Sequence, residues 1–330
     1  MGTGNKSVQV NKSEWNVDFL SKGKSFEEKR KDWKKETEKF IQKWKNRNDY
    51  LKKPNVLKKA LDDYETWNRW YGTKGDELYY YWLKTNQDQT DSDLKAKFND
   101  IEEFTKKIEN ETKFFELNIA QLLKENKKAF LESSHLKEYK HFLEKLFNRS
   151  KYLLSEKEEK IMNLKSSSAY TSWIKMVSGL ISKEEREVLD ENNKTAMKNF
   201  SDILSLINNK NKEVRDTSAN ALNEILDKYK EIAENELNAI LADKKINDGL
   251  RGMKRPDFNR HLSDDLQTEI VDNLIEAVSK RFDISKRFYK LKAKLLGVKK
   301  LKYHERNVEY GKIEKKYTYD DAVILINEVF

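Results

Sequence analysis

Residues 94 to 122 carry the most regular apolar pattern in the chain, and this pattern restricts the fold to long helices. Its positions alternate steps of four and three, at Leu94, Phe98, Ile101, Thr105, Ile108, Thr112, Phe115, Ile119 and Leu122. Such heptad spacing predicts a helix packed along a neighbour. Because two threonines interrupt a seam of only about four heptads, packing within the chain is favoured over a dimerising coiled coil.

Few residues would break such helices elsewhere. The 330-residue chain has ten Gly and two Pro, which favours long helices over a turn-rich sheet protein. Pro54 sits where a proline opens a helix, and Ser155 with Glu158 forms a capping box. Residues 201–247 predict an entry turn and one long helix that ends near Lys245. We further expect a helix opened by Ser263 and another that stops at Gly297.

Strands are expected in one place only. The segment EREVLDENNKTAMKNF, within residues 184–200, alternates loosely around a polar turn and predicts a small β-hairpin. The fold class is therefore mainly α, with long antiparallel helices and at most one small β-hairpin near residues 184–200.

Composition excludes several kinds of site. The chain has no Cys, so disulfides, thiolate nucleophiles and cysteine metal sites are ruled out. No apolar run approaches the roughly 18 residues that a membrane span needs, and the first 15 residues lack the apolar core of a signal peptide. We expect a cytoplasmic protein.

Positive charge is concentrated near the carboxyl end. Residues 281–316 hold 13 Lys or Arg against four Asp or Glu, a net charge of +9 that equals the net charge of the whole chain. Such a segment can attract nucleic acid, an anionic surface or acidic peptides. A solvated helix face is the favoured interpretation. Within it Phe288, Leu291, Leu295 and Leu296 form an apolar stripe that we expect to be packed.

The aromatic residues between positions 67 and 82 allow two interpretations. They are Trp67, Trp70, Tyr71, Tyr79, Tyr80, Tyr81 and Trp82. Such a cluster can stack on a ligand such as a sugar ring. Their helical spacing makes core packing the favoured interpretation.

No catalytic constellation emerges from the residues. A zinc site of the HExxH kind needs two His one helical turn apart with a Glu between them. The chain has His135, His141, His261 and His304, and no second His follows His304-Glu305 at that spacing. No phosphate-binding loop or nucleophile-elbow motif is present either. We predict no catalytic residue and no metal ligand in this chain.

The order of three motifs nevertheless carries a family resemblance. Asn238 lies in LNAIL, Arg251-Gly252 follows, and KLKAKLLGVKKLKYHERN runs from Lys290 to Asn307. Upstream, LSEKEEKIM begins at Leu154. This succession resembles oligoendopeptidase F, in the thimet oligopeptidase family of zinc metallopeptidases. Met253, Glu305 and Val308-Glu309 depart from the family pattern, which has an aromatic residue, Asp and Ala-Pro there.

The resemblance implies an architecture. Family members have two helical lobes that enclose a deep channel, with zinc at its floor. It implies that residues 1–200 form the amino-terminal helical lobe and residues 201–330 the first helices of the peptidase domain. The segment from Lys316 to Ala322 resembles a family segment that precedes the zinc helix, so the chain is expected to be truncated before the zinc-binding motif.

The resemblance also implies a function. The full-length family cleaves short peptides with zinc, whereas this chain is expected to bind no cofactor, to supply channel wall and scaffold, and to be inactive alone. Short peptides are the expected partners if a carboxy-terminal half completes the channel, with Arg251 and Arg260 as candidates for its wall. A stand-alone helical peptide-binding or interaction module is the alternative, and a nucleic-acid-binding helical protein the third choice.

Overall fold

The computed structural model describes residues 16–21, 23–71, 75–122, 124–311 and 317–329, and these ranges are mainly helical. The first helices are α1 (Phe26–Trp44), α2 (Pro54–Tyr71), α3 (Gly75–Gln87), α4 (Ser92–Ala120), α5 (Lys124–Leu131), α6 (Lys140–Arg149), α7 (Glu156–Ser166) and α8 (Ser172–Ile181). The later ones are α9 (Phe200–Leu206), α10 (Lys212–Lys228), α11 (Lys230–Leu250), α12 (Phe258–Ser263), α13 (Thr268–Ser279), α14 (Phe282–Leu295) and α15 (Tyr319–Val329). The predicted mainly α class is confirmed.

Short irregular helices connect these elements. Turns of 3₁₀ helix span Val17–Ser21, Asp49–Leu51, Ser134–Tyr139, Ser150–Tyr152 and Tyr303–Asn307. Between α7 and α8, Ser167–Thr171 forms a π-helix, so α7 and α8 continue one another around a wider turn.

The predicted hairpin is present. Strands β1 (Glu185–Leu189) and β2 (Thr195–Asn199) are antiparallel, with Glu185 opposite Asn199 and Leu189 opposite Thr195. Asn193 occupies the turn with φ of 58°, a conformation that Asn tolerates better than most residues. The Asp190 carboxylate accepts the amides of Asn192 and Lys194 at 2.8 and 2.9 Å, which fixes the turn.

Helix α4 is the centre of the main core. Its seam residues Ile101, Ile108, Phe115 and Ile119 are buried, and α1, α3, α6 and α7 pack around it. The core also contains Trp44, Tyr50, Leu57, Leu61, Phe130, Leu136 and Leu143. The seam is thus covered by helices of the same chain, as the sequence predicts.

A second, smaller core lies around the hairpin. Val188 of β1 packs with Ile203 and Leu206 of α9 and with Val214 and Ile225 of α10. Glu184 at the base of the hairpin is tied to the end of α10, because it accepts hydrogen bonds from Lys228 Nζ at 2.6 Å and the Tyr229 hydroxyl at 2.5 Å. A domain boundary near residue 200 stays a prediction.

Two predicted helix boundaries are wrong. The single helix expected in residues 201–247 is three helices, and α10 gives way to α11 at Tyr229, whose φ and ψ are −106° and 8°. No Gly or Pro marks that break. Ser263 ends α12 rather than opening a helix, and α13 starts at Thr268. The expected stop at Gly297 is confirmed, since its φ of 69° ends α14.

The arm formed by α12, α13 and α14 makes few internal contacts. None of the residues of α13 is buried, and in α14 only Ala293 is. Phe288, Leu291 and Leu295 are 54%, 56% and 43% exposed. The expectation that this stripe packs is therefore wrong for these three residues, whereas Leu296 is half-buried. No helix of the described ranges has the length and apolarity to cross a membrane.

The arm docks on the main body near α12. Within the arm, His261 of α12 is buried and its Nδ1 lies 3.2 Å from the hydroxyl of Thr268 in α13. The Phe258 ring lies 5.1 Å from the ring of Tyr152, centroid to centroid. This docking places the turn after α11 against the 3₁₀ helix that precedes α7.

Candidate functional site

Arg251 lies where α11 ends and joins the body of the protein. Its guanidinium donates to both carboxylate oxygens of Glu159, at 2.6 and 3.1 Å, and to the carbonyl of Tyr152 at 3.0 Å. The side chains of Arg251 and Glu159 are 18% and 6% exposed. These contacts join the end of α11 to α7 and to the 3₁₀ turn Ser150–Tyr152, so the guanidinium already has a structural role.

The surroundings of Glu159 keep it ionised. Burial raises the pKa of this carboxyl, but hydrogen bonds from Arg251 and from the amide of Leu154, with the charge of Arg251, outweigh burial and hold the pKa below its usual range. The pair is thus an anion and a cation held in a largely buried contact.

Arg260 is placed differently. It lies on α12 with 79% of its side chain exposed, and its Nε donates to Asp264 at 2.5 Å. Its neighbour Arg255 forms a fork to Asp257 and Asp272 with distances of 2.8 to 3.0 Å. Arg260 is therefore open to solvent, whereas Arg251 is enclosed, and their assignment to a channel wall stays a prediction.

A second buried ion pair was not predicted as such. Arg215 of α10 and Glu305 of the Tyr303–Asn307 turn are 4% and 1% exposed, and the guanidinium donates to Glu305 Oε1 at 2.8 and 3.2 Å. Glu305 replaces the Asp that the family pattern has. The longer side chain still reaches the guanidinium, so the turn after α14 is fixed to α10.

This pair belongs to a cluster that contains potential metal ligands. One ligand atom each of Asp216, His304 and Glu305 lies within 4.8 Å of the others. His304 Nε2 is 2.8 Å from Asp216 Oδ1. Burial raises the pKa of Asp216, but hydrogen bonds from Lys212 and His304 and the charges of Lys212 and Lys302 lower it to about 2.

The cluster does not suit the zinc that the family implies. Lys212, Arg215 and Lys302 bring three positive charges to two carboxylates, so a dication would meet no net negative charge there. Both Glu305 oxygens also already accept hydrogen bonds, Oε1 from the Arg215 guanidinium and Oε2 from the Lys302 amide. His135 and His141 lie on other elements, and His141 pairs with Asp265 at 2.9 Å. We therefore assign this cluster a structural role.

Many apolar side chains of α11 and the arm are exposed. None of the residues of α11 is buried, and Leu237, Leu241 and Leu250 are 57% to 60% exposed. The exposed apolar residues of the arm are Leu266, Ile270, Leu274, Ile275, Val278, Phe282, Ile284, Phe288, Tyr289, Leu291 and Leu295. A helix of a globular protein normally buries an apolar stripe, so exposed apolar residues in these numbers indicate a surface that can contact a partner.

A groove of about 720 Å³ lies between α3, α4, α7 and the π-helix. Tyr79 and Trp82 of α3 stack on each other with centroids 5.6 Å apart. Both are about half exposed, so core packing is wrong for these two rings. It is confirmed for Trp67, which stacks on Tyr64 and Phe40. The side chains of Trp70 and Tyr71 lie outside the described residues.

Sequence comparisons agree with the motifs. A sequence model of the family described as Oligopeptidase F matches residues 118–178. The Oligoendopeptidase F homolog of Borreliella burgdorferi is 26% identical over 265 residues, which are 78% of this chain and 44% of that protein. Group B oligopeptidase PepB of Streptococcus agalactiae is 23% identical over 228 residues, 66% of this chain and 36% of that protein. The chain spans less than half the length of these curated relatives.

Structure comparisons agree on the fold. The crystal structure of oligoendopeptidase-F from Enterococcus faecium superposes with a TM-score of 0.72 at 17% identity, over 86% of this chain and 55% of that one. A putative peptidase from Chlamydophila abortus gives a TM-score of 0.63 at 20% identity, over 95% of this chain and 52% of that one. In sequence motifs and in fold, the chain is therefore similar to oligoendopeptidase F, as its sequence predicts.

Proposed function

We propose that this chain is the amino-terminal part of an oligoendopeptidase F-like zinc metallopeptidase that cleaves short peptides. In this proposal residues 1–200 form the accessory lobe and residues 201–330 the first helices of the peptidase domain. The chain contributes channel wall and scaffold and hydrolyses no peptide alone. The zinc ligands come from a carboxy-terminal half.

The exposed apolar side of α11 and the arm carries the proposal. Leu237, Leu274, Phe288 and Leu291 are all more than half exposed. A helix of a globular protein normally buries such a stripe. The chain covers 44% of the Borreliella burgdorferi relative, so a carboxy-terminal half has the size to cover this surface.

Peptide hydrolysis tests the proposal directly. We expect the chain alone, supplied with zinc and then dialysed, to retain less than about 0.1 equivalent of metal and to leave quenched fluorogenic peptides uncut. The physical reason is that the sequence has no HExxH motif, and that cations already neutralise the cluster of Asp216, His304 and Glu305. Neither offers an open zinc site that would lower the pKa of bound water to about 7. Peptide cleavage abolished by a chelator would overturn the proposal.

The apolar side has its own test. We expect the chain to enhance the fluorescence of a hydrophobic dye, and Leu274→Lys with Phe288→Lys to remove most of that signal. Leu226→Lys is the matched control, because Leu226 is 47% exposed on α10, away from the arm. If the dye fluoresces no more with the wild-type chain than with an ordinary monomeric protein, these apolar side chains are not exposed in solution.

The gene decides between this proposal and a stand-alone interaction module. Codons for an HExxH motif downstream of Phe330 would support the proposal that the chain is part of a peptidase. A stop codon immediately after Phe330 would overturn it in favour of the module.

A further inference from the structure

We propose that the groove between α3, α4 and the π-helix binds a peptide that carries an aromatic side chain next to a positive charge. The site lies within the amino-terminal part of the chain and requires no carboxy-terminal half. It would therefore bind peptide even if the proposed peptidase function were wrong.

The walls of the groove offer flat aromatic surface. The rings of Tyr79 and Trp82 are nearly parallel, with 18° between their planes, and are 52% and 48% exposed. Tyr170 lines the same groove and is 39% exposed. Aromatic rings bury well against other rings, and their negative faces also attract cations. This surface therefore suits a side chain that is aromatic and has a positive neighbour.

The charges in the groove favour a cationic ligand. Within the described part of the chain, the Glu109 carboxylate makes no hydrogen bond or ion pair, although it lines the groove. The other charged groups that line the groove have partners. Asp76 lies 3.4 Å from Lys29 Nζ, and Glu102 lies 2.7 Å from Lys175 Nζ. Lys106 lies 3.9 Å from Glu102 and donates to the Ser167 hydroxyl. A half-buried carboxylate without a partner beside aromatic faces is stabilised by an added cation.

The size of the groove fits a short peptide. Its volume of about 720 Å³ lies in the range of about 300–1,000 Å³ typical of ligand sites. This volume accommodates an aromatic side chain with its flanking residues. A neutral sugar would also stack on Trp82, but it would leave the Glu109 charge uncompensated.

The π-helix contributes to the shape of the site. It holds one more residue per turn than an α-helix, and its residues Tyr170 and Thr171 line the groove. Single π-helical turns are frequent at functional sites. Here the wider turn separates α7 from α8 where the groove opens.

Calorimetric titration of the whole chain with acetyl-Lys-Phe-Lys-amide tests the inference. We expect sub-millimolar binding. Acetyl-Lys-Ala-Lys-amide lacks the ring and acetyl-Glu-Phe-Glu-amide reverses the charge, so each should bind at least about tenfold more weakly. Raising the salt concentration should weaken binding of the cationic peptide.

Substitutions in the groove locate the binding site. Glu109→Gln should weaken binding about fivefold and Trp82→Ala about tenfold. Glu103→Gln and Tyr303→Ala are matched controls, since Glu103 is an exposed acid of α4 and Tyr303 is 81% exposed, and neither lines the groove. Unfolding midpoints of all four variants verify that they fold.

Several outcomes would overturn the inference. They are no binding at about 1 mM peptide, equal affinity for the Glu-Phe-Glu peptide, or unchanged affinity in Glu109→Gln and Trp82→Ala. Binding of a neutral disaccharide without binding of the cationic peptide would make the groove a carbohydrate site. Each outcome leaves the hydrolysis test of the proposed function unaffected.

Discussion

Arg251 holds two helices together, although the family resemblance suggested that it lines a peptide channel. Its guanidinium bridges Glu159 and the Tyr152 carbonyl, so it connects the end of α11 to the start of α7. Removing Arg251 would leave the enclosed Glu159 carboxylate without its cation, and an enclosed charge is costly to leave unpaired. Replacing Arg251 should therefore reduce the stability of the fold first.

We predict that Arg251→Met lowers the free energy of unfolding by about 3 kcal/mol, because Glu159 would stay enclosed without its cation. Urea unfolding measures this loss. Arg260→Met is the control and should cost less than about 0.5 kcal/mol, since its pair with Asp264 is exposed. Equal losses in the two variants would show that the Arg251 pair is not buried in solution.

The partners of the two buried arginines were beyond prediction from sequence. Glu305 lies in the KLKAKLLGVKKLKYHERN motif, whereas Arg215 lies in none of the quoted motifs. Nothing in their spacing, 90 positions apart, shows that they form an ion pair. Contacts between distant segments depend on how whole helices pack, which periodicity does not specify.

At the scale of single elements, helix caps decide where several helices begin. Ser155 accepts the amide of Glu158, and the Glu158 carboxylate accepts the amide of Ser155 at 2.8 Å. This capping box satisfies two amides that α7 would otherwise leave exposed. It also places Glu159 next to Arg251.

We predict that Ser155→Ala lowers the free energy of unfolding by about 1 kcal/mol. Ser133→Ala is the matched control, because Ser133 precedes the Ser134–Tyr139 helix without a side-chain cap. Thermal or urea unfolding of the pair checks the difference. A cost for Ser133→Ala as large as that for Ser155→Ala would refute a specific role of the cap.

The sequence identified elements with strong local signals and missed those set by packing. The α4 seam, the cap at Ser155 and the hairpin were predictable because each depends on neighbouring residues. The break at Tyr229 has no Gly or Pro, and Tyr229 is held by Glu184 from the hairpin. Tyr79 and Trp82 have the same helical spacing as core residues, so the pattern does not distinguish a groove wall from a core.

At the scale of the whole molecule, the first half of the chain and the arm differ in how much of their apolar surface is buried. The first half encloses a dense aromatic core around α4. The arm leaves apolar side chains between basic residues such as Lys286, Arg287 and Lys290. The arm shares the positive charge of nucleic-acid-binding surfaces, but no nucleic-acid-binding motif accompanies that charge.

We predict weak nucleic-acid binding that falls steeply as salt rises, because phosphate neutralisation is the only contribution available. Fluorescence anisotropy with single-stranded and duplex DNA at about 50 and 200 mM salt measures it. Sub-micromolar affinity that persists at the higher salt would contradict the peptidase proposal and favour the nucleic-acid alternative.

The π-helix at Ser167–Thr171 also affects how this chain compares with others. Residues Glu156–Ile181 form one continuous rod, and the wide turn inserts the equivalent of one residue into it. One residue corresponds to a rotation of about 100° in an α-helix. Glu159 before the turn and Val177 after it are both buried. Because of the π-helix, the direction in which Val177 points from the rod is rotated by about this angle from its direction in an uninterrupted α-helix. A related chain with an uninterrupted α-helix here would need one residue fewer between these two positions to bury both of them. A sequence alignment of that chain with this one should therefore have a one-residue gap within the rod.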